Sequence, residues 1–231
     1  MSDPVDQERW RGLRDSARAA LEQRDYGNPA KGAGQLVGAE AIPGVLLFPR
    51  KIFPQRHRGH FGELARRDEA PLSDIGLWPA QWASACMFGG TAKGFHIHPP
   101  HIPDGEAADA WFQKVFVDGG GDVALRPYEQ EQWDVMFFVS GLAEIILVDE
   151  RAGMPREVMQ FYIDGDDHAG EDNVGLVIPA GVAHALRAAS SKDVVMVYGT
   201  STVFDPRSEG RIGSDIEQAP LPAEWRAYLG D

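Results

Sequence analysis

The chain is short of cysteine, of basic residues and of long apolar runs, and each shortage closes off a class of protein. One cysteine among 231 residues, Cys86, allows no internal disulfide, so a disulfide-stapled secreted scaffold is excluded. The single thiol reads as a small buried apolar side chain. No stretch approaches the roughly 18 consecutive apolar residues of a membrane-spanning helix. The start, MSDPVDQERW, lacks a basic segment leading into an apolar run, so no secretory signal is expected and the location reads as cytoplasmic. Lys and Arg number 22 against 35 Asp and Glu, a net charge of −13. Such a surface repels nucleic acid and anionic lipid, whose binding rests on cations neutralising phosphates. Neither nucleic acid nor membrane is expected as a partner. A small anionic ligand in a local basic pocket stays admissible. Fixed-period repeats and low-complexity tracts are also missing.

What is present falls into three parts. Residues 4–24 read as an amphipathic helix, with Trp10, Leu13, Ala17, Ala20 and Leu21 recurring at three- and four-residue steps. Its face is not basic, so it suits a barrel end or a subunit contact rather than a membrane. A Gly-rich linker interrupted by Pro29 completes an N-terminal region, 1–42. From residue 43 to 215 the pattern is short apolar runs separated by Gly, Pro and Asp. Strands are expected at 44–48, 60–66, 81–88, 93–98, 134–139, 142–148, 158–163, 175–178, 183–188 and 194–200. Many short strands with turn signals between them make an all-β sandwich or barrel. A tail, 216–231, reads as a short return helix. The rhythm breaks once, in an insertion at about 99–133, whose length in a compact barrel points to function, such as a lid.

The chemistry gathers in two stretches. In KGFHIHPPH, residues 93–101, strand alternation points His96 and His98 to one face and Ile97 to the other. In GLVIPAGVAHAL, residues 175–186, Pro179 and Gly181 make a turn and His184 follows on the next strand. Between them Asp134 stands seven residues before Gly141 in WDVMFFVSG. His96, His98, Asp134 and His184 form a plausible octahedral shell with open positions. The donor set suits one divalent ion (Fe, Mn, Ni or Zn); without it, no cofactor is called for.

These residues resemble the double motif of the cupins: the HxH pair, an acid followed by six residues and Gly, and PxGxxH. The resemblance implies a cupin double-stranded β-helix, a jelly-roll barrel, with Asp134 replacing the usual Glu. It departs from the cupin pattern in the 35 residues between His98 and Asp134, where cupins typically have only a few. RGHFGE at 58–63, KGFH at 93–96, VDER at 148–151, IPAGVAHAL at 178–186 and the stretch from Tyr198 to Asp215 follow one order. That order resembles the dTDP-4-dehydrorhamnose 3,5-epimerase (RmlC-like) family, itself a cupin barrel, over about residues 44–215.

The family implies an isomerase that acts on a nucleotide-linked 4-keto sugar. A His abstracts the proton beside the ketone, an Asp orients it, and a Tyr donates from the opposite ring face. By motif position these are His96, Asp215 and Tyr198. Arg58, Phe61, Glu63, Gln81 and Lys93 fall where the family holds nucleotide and phosphate, Lys93 standing for the usual Arg and losing its bidentate fork. A homodimer with shared strands is implied.

Two departures matter. Where the family has a Lys that stabilises the enolate, this sequence has Asp134, which would repel the developing charge. His98 replaces Gln or a similar residue two after the base. A divalent ion on His98, Asp134 and His184 could take over the enolate; if it also engages His96, then His96 is not the base. Lys114, inside the insertion, offers another source of the missing charge. Three readings therefore stay open: an epimerase, a metal-dependent cupin oxygenase or isomerase, and a non-catalytic sugar-binding cupin. Plainer roles stand beside them. Tyr198 suits a core position, Asp215 a turn cap, Arg58–Phe61–Glu63 strand-edge packing, and His101 loop structure. Trp111 and Phe112 suit anchors of the insertion, the DGDD run at 164–167 a solvated turn, and His57, His60 and His168 the surface.

Overall fold

The computed structural model describes residues 42–98, 131–151, 156–168, 173–205 and 210–211. The helix expected at 4–24, the insertion up to residue 130 with His101, Trp111, Phe112 and Lys114, and Asp215 with the tail lie outside these residues. Strands dominate the rest: β1 (Leu46–Pro49), β2 (Lys51–Pro54), β3 (His60–Glu63), β4 (Gln81–Met87), β5 (Ala92–Ile97), β6 (Asp134–Ser140), β7 (Leu142–Asp149), β8 (Val158–Asp164), β9 (Val174–Ile178), β10 (Val182–Ala188), β11 (Val194–Thr200) and β12 (Gly210–Arg211).

One sheet has the order β1-β9-β6-β11-β4 and the other β12-β5-β10-β7-β8; β2 and β3 form a separate hairpin. Every strand pairing is antiparallel. The chain passes repeatedly from one five-stranded sheet to the other, as a jelly-roll does. The all-β cupin barrel expected from the sequence is the fold found.

Alternation explains which residues meet inside. On β6, Met136 and Phe138 point into the barrel and pack with Ile145 and Leu147 of β7, Leu176 of β9, Leu186 of β10 and Met196 of β11. Val135 and Phe137 point outward, yet they too are buried, beneath Leu72 and Leu77 of the segment after β3. Burial on both faces is why β6 reads as an unbroken apolar run.

All ten expected strands are present, with shifted ends. β1 starts at Leu46 rather than 44, and β3 stops at Glu63, because the chain then leaves to cover the outer sheet face. β2 and β12 were not expected. Two other expectations are corrected. Cys86 is exposed, because it lies on the outward side of β4, the edge strand of its sheet. The 164–167 run is more than a solvated turn: Asp166 is buried and holds the Arg50 guanidinium at 2.9 Å, while Asp167 accepts from the Gly141 amide at 2.9 Å.

Candidate active site

The strands that carry the motifs end at one mouth of the barrel. Gln81 begins β4, Asp134 begins β6 and Thr200 ends β11, and these three are neighbours through the β11 register. In the facing sheet, His96 pairs with His184 across β5 and β10. A cavity of about 280 Å³ opens between them, lined by Gln81, Lys93, His96, His98, Asp134, His184 and Tyr198, together with Gln132, Thr200 and Phe204 and an apolar floor of Met136, Leu186 and Met196.

Local sequence sets each position. Pro179 to Val182 forms a turn closed by Val182 N donating to Pro179 O, with Gly181 at φ +80°, where a type II turn needs glycine. Gly181 N also donates to His98 O at 2.6 Å, fixing the end of β5 against the turn that leads to His184. The KGFH stretch departs from simple alternation. His184 pairs with His96 and Leu186 with Lys93, so two steps on β10 span three on β5, the count of a β-bulge. The bulge turns Lys93 to the same side as His96. Gly94 makes this possible: its φ is +140°, and a Cβ there would lie 2.7 Å from Cα of Ala185.

Three of the expected metal ligands converge. Donor atoms of His98, Asp134 and His184 all lie within 4.8 Å of one another, and all three residues are buried. Asp134 Oδ2 is 3.3 Å from His98 Nε2 and 3.6 Å from His184 Nε2. Its other oxygen accepts from Gln132 Nε2 at 3.0 Å, and Gln132 Oε1 in turn accepts from Thr202 Oγ1 at 2.7 Å. His184 turns Nδ1 toward Val182 O, 3.4 Å away. The fourth expected ligand, His96, stands beside this group with its ring stacked on His184 at 5.9 Å.

The electrostatics follow from these contacts. Burial alone would raise the Asp134 carboxyl, but the charge and hydrogen bonding of His98, helped by His184 and Gln132, outweigh it and hold its pKa at about 2. Burial, joined by repulsion from His98 and His96, lowers His184 to about 3 against the pull of Asp134. A carboxylate and a neutral imidazole at pH 7 are the forms in which both bind metal.

The remaining expected residues divide. Gln81 and Lys93 line the cavity, with Gln81 Oε1 accepting from Phe204 N at 2.9 Å. Arg58, Phe61 and Glu63 do not line it; they sit on the exposed β2–β3 hairpin and the turn before β3. Phe53 and Phe61, each about half exposed, stack there at 6.2 Å. His57, His60 and His168 are on the surface, as expected. Sequence reasoning missed Gln132, Thr200 and the two methionines. Alternation from Asp134 would have found Gln132 and Met136.

No protein-family model matches the chain. Among characterised proteins it is similar to the spore coat polysaccharide biosynthesis protein SpsL of Bacillus subtilis (strain 168), 29% identical over 165 residues, which is 69% of this chain and 82% of SpsL. Among solved structures it is similar to NovW of Streptomyces spheroides, a 4-keto-6-deoxy sugar epimerase from the novobiocin cluster, with a TM-score of 0.54 at 20% identity over 79% of this chain and 73% of that one. It is likewise similar to the dTDP-6-deoxy-D-glucose-3,5-epimerase of Legionella pneumophila Philadelphia 1, solved with dTDP-4-keto-L-rhamnose, with a TM-score of 0.54 at 18% identity over 80% and 87%. The chain has the cupin barrel fold of the dTDP-4-dehydrorhamnose 3,5-epimerases.

Proposed function

We propose that the protein is a sugar epimerase acting on a nucleotide-linked 4-keto sugar, with His96 removing the proton beside the ketone and Tyr198 returning one to the opposite face. The observation that carries this reading is that His96 and Tyr198 line one cavity from strands of opposite sheets. Inversion at carbon needs a base and an acid on the two faces of the sugar ring. As His96 takes the proton, the C–H electron pair forms the carbon–carbon double bond of an enolate. The pair returns to carbon as the Tyr198 hydroxyl delivers its proton, and solvent then restores both side chains. Imidazole suits the first step because it ordinarily titrates near neutrality.

Asp215 is assigned by motif position to hold His96 in its basic tautomer. In support, Arg211 pairs with His96 across β12 and β5, four residues before Asp215. Lys93 and Gln81 bind the polar part of the substrate, with Lys114 a further cation from the insertion. The likeness to an epimerase solved with a dTDP-sugar supports a sugar nucleotide as ligand.

The hairpin that carries Arg58, Phe61 and Glu63 serves the pocket of a second copy in a cytoplasmic homodimer. Its exposed aromatic pair supports this, since such patches mark interaction sites. Light scattering of the full chain should give a dimer; a monomer at micromolar concentration ends that part of the proposal.

The decisive experiment incubates the protein with a dTDP-linked 4-keto-6-deoxy sugar in D₂O. Deuterium should enter at carbons beside the ketone, and His96→Ala should lower the exchange by about 10²–10⁴-fold. Absence of exchange with every nucleotide-linked 4-keto sugar tried, despite binding, would reduce the protein to a sugar-binding module.

A further inference from the structure

We propose that Lys93 is a catalytic residue of this cavity, its ammonium holding the ketone oxygen of the sugar as negative charge gathers there; this rests on the epimerase reading. Lys93 is the only Lys or Arg among the described residues that line the cavity. It is half-buried, yet it has no hydrogen-bond or ion-pair partner among the described residues. The other half-buried cations, Arg50, Arg151 and Arg187, are each paired with a carboxylate. An ammonium partly withdrawn from water and left unpaired calls for an anionic ligand.

Register decides which part of a substrate that cation meets. Lys93 pairs with Leu186, one inward step below the pair of His96 with His184, and Leu186 belongs to the apolar floor with Met136 and Met196. In the facing sheet Tyr198 pairs with Met136, one inward step below the pair of Thr200 with Asp134. Lys93 and Tyr198 thus both stand beside the floor. A cavity of about 280 Å³ takes a sugar ring but not a nucleoside diphosphate as well, so the phosphates stay at the mouth and Lys93 meets the sugar. A ketone oxygen and the hydrogen on the next carbon are close neighbours, so base and cation must be neighbours too. Across the bulge at Gly94, Lys93 and His96 lie about 7 Å apart along one face of β5.

As His96 takes the proton, the C–H pair becomes the carbon–carbon double bond and the carbonyl π pair moves onto oxygen. The Lys93 ammonium offsets that charge without releasing a proton, and the pair returns to carbon when Tyr198 delivers its own. A cation aimed from beside an apolar floor acts with little water to screen it. It also counters the Asp134 carboxylate, which would otherwise oppose the enolate and whose Oδ2 is turned toward Nε2 of His98 and of His184.

Full-length wild type, Lys93→Met and Lys93→Arg are compared in two ways: deuterium exchange into a dTDP-linked 4-keto-6-deoxy sugar, and calorimetric titration with dTDP alone. Lys93→Met should lower kcat for exchange about 10²–10³-fold, while its affinity for dTDP changes less than about three-fold. Lys93→Arg keeps the charge and should exchange at least about ten-fold faster than Lys93→Met. An unchanged kcat in Lys93→Met overturns the role. So does a loss confined to KM and dTDP affinity, which would make Lys93 a phosphate anchor. Equal kcat in the Met and Arg variants overturns charge as the cause. Where urea denaturation shows Lys93→Met unfolded, Lys93→Gln takes its place. A wild type that binds dTDP yet exchanges no deuterium with any nucleotide-linked 4-keto sugar overturns the epimerase reading itself, a result distinct from exchange that survives in Lys93→Met.

Discussion

The two ends of the barrel are made by the same strands and differ in almost everything else. Along β6 the inward side chains run Asp134, Met136, Phe138; along β11 they run Thr200, Tyr198, Met196, Val194; along β10 they run Val182, His184, Leu186, Ala188. The β6 and β11 rows start polar at the mouth and become apolar within one or two inward positions, and on β10 the polar His184 gives way to Leu186 and Ala188. Stability therefore concentrates at the far end, where each fully buried large side chain contributes about 1.5–3 kcal/mol. The mouth instead buries a carboxylate and two histidines, groups that are costly out of water unless paired. Period-two alternation encodes both ends, and only the identity of the inward residue separates a core from a reaction vessel.

That division can be broken at either end. The largest effect expected is on catalysis: His96→Ala should lower sugar deuterium exchange by about 10²–10⁴-fold while urea denaturation stays within about 1 kcal/mol of wild type. A large stability loss would mean that the mouth also carries the fold. Next, Phe138→Ala at the apolar end should cost about 3–5 kcal/mol in the same denaturation, with exchange by the remaining folded protein nearly unchanged.

Acidification should act mainly through the mouth, where the two largest downward shifts lie. His184 titrates at about 3 folded against an ordinary 6.5 unfolded, and Asp134 at about 2 against 3.8. Both folded values are depressed, so the unfolded chain binds more protons and stability falls as pH drops: below 6.5 through His184, then below 3.8 through Asp134. Between pH 6 and 4 the loss should be roughly 3 kcal/mol, with the same slope in Phe138→Ala, measured by urea midpoints. A flat profile would show His184 protonating freely in the fold. The smallest effect expected is from Gln132→Ala, about 1 kcal/mol, because Asp134 Oδ1 loses one neutral donor. A loss above 3 kcal/mol would make Gln132 a keystone of the mouth.

Much of this was legible in the sequence, and the exceptions have physical causes. Strand alternation and the PAGVAH turn located His96, His98, Asp134 and His184 in one pocket. β2 escaped notice because Lys51–Pro54 is only four residues long and ends on a proline, a residue that argues against a strand. The break between β1 and β2 falls at Arg50, whose buried pairing with Asp166 lies 116 residues away in sequence and leaves no local trace. Reading 164–167 as a solvated turn failed for the same reason. The strand at 60–66 read too long because the apolar residues after Glu63 serve the outer face of the other sheet. Strict alternation sets Lys93 opposite His96; one extra residue in the β5 pairing, visible only in the register with β10, brings them together.

That extra residue changes the parity of β5. Positions before Gly94 and positions after it count their inward faces from different origins, so the strand presents two odd-even schemes in six residues. Removing one residue at the bulge would restore a single scheme, carrying the Lys93 ammonium out of the cavity while the β12 side of the strand, paired only at His96 and Ile97, kept its register. The cation of this pocket is thus held by a count rather than by a contact, and a one-residue deletion would be a sharper way to remove it than any substitution.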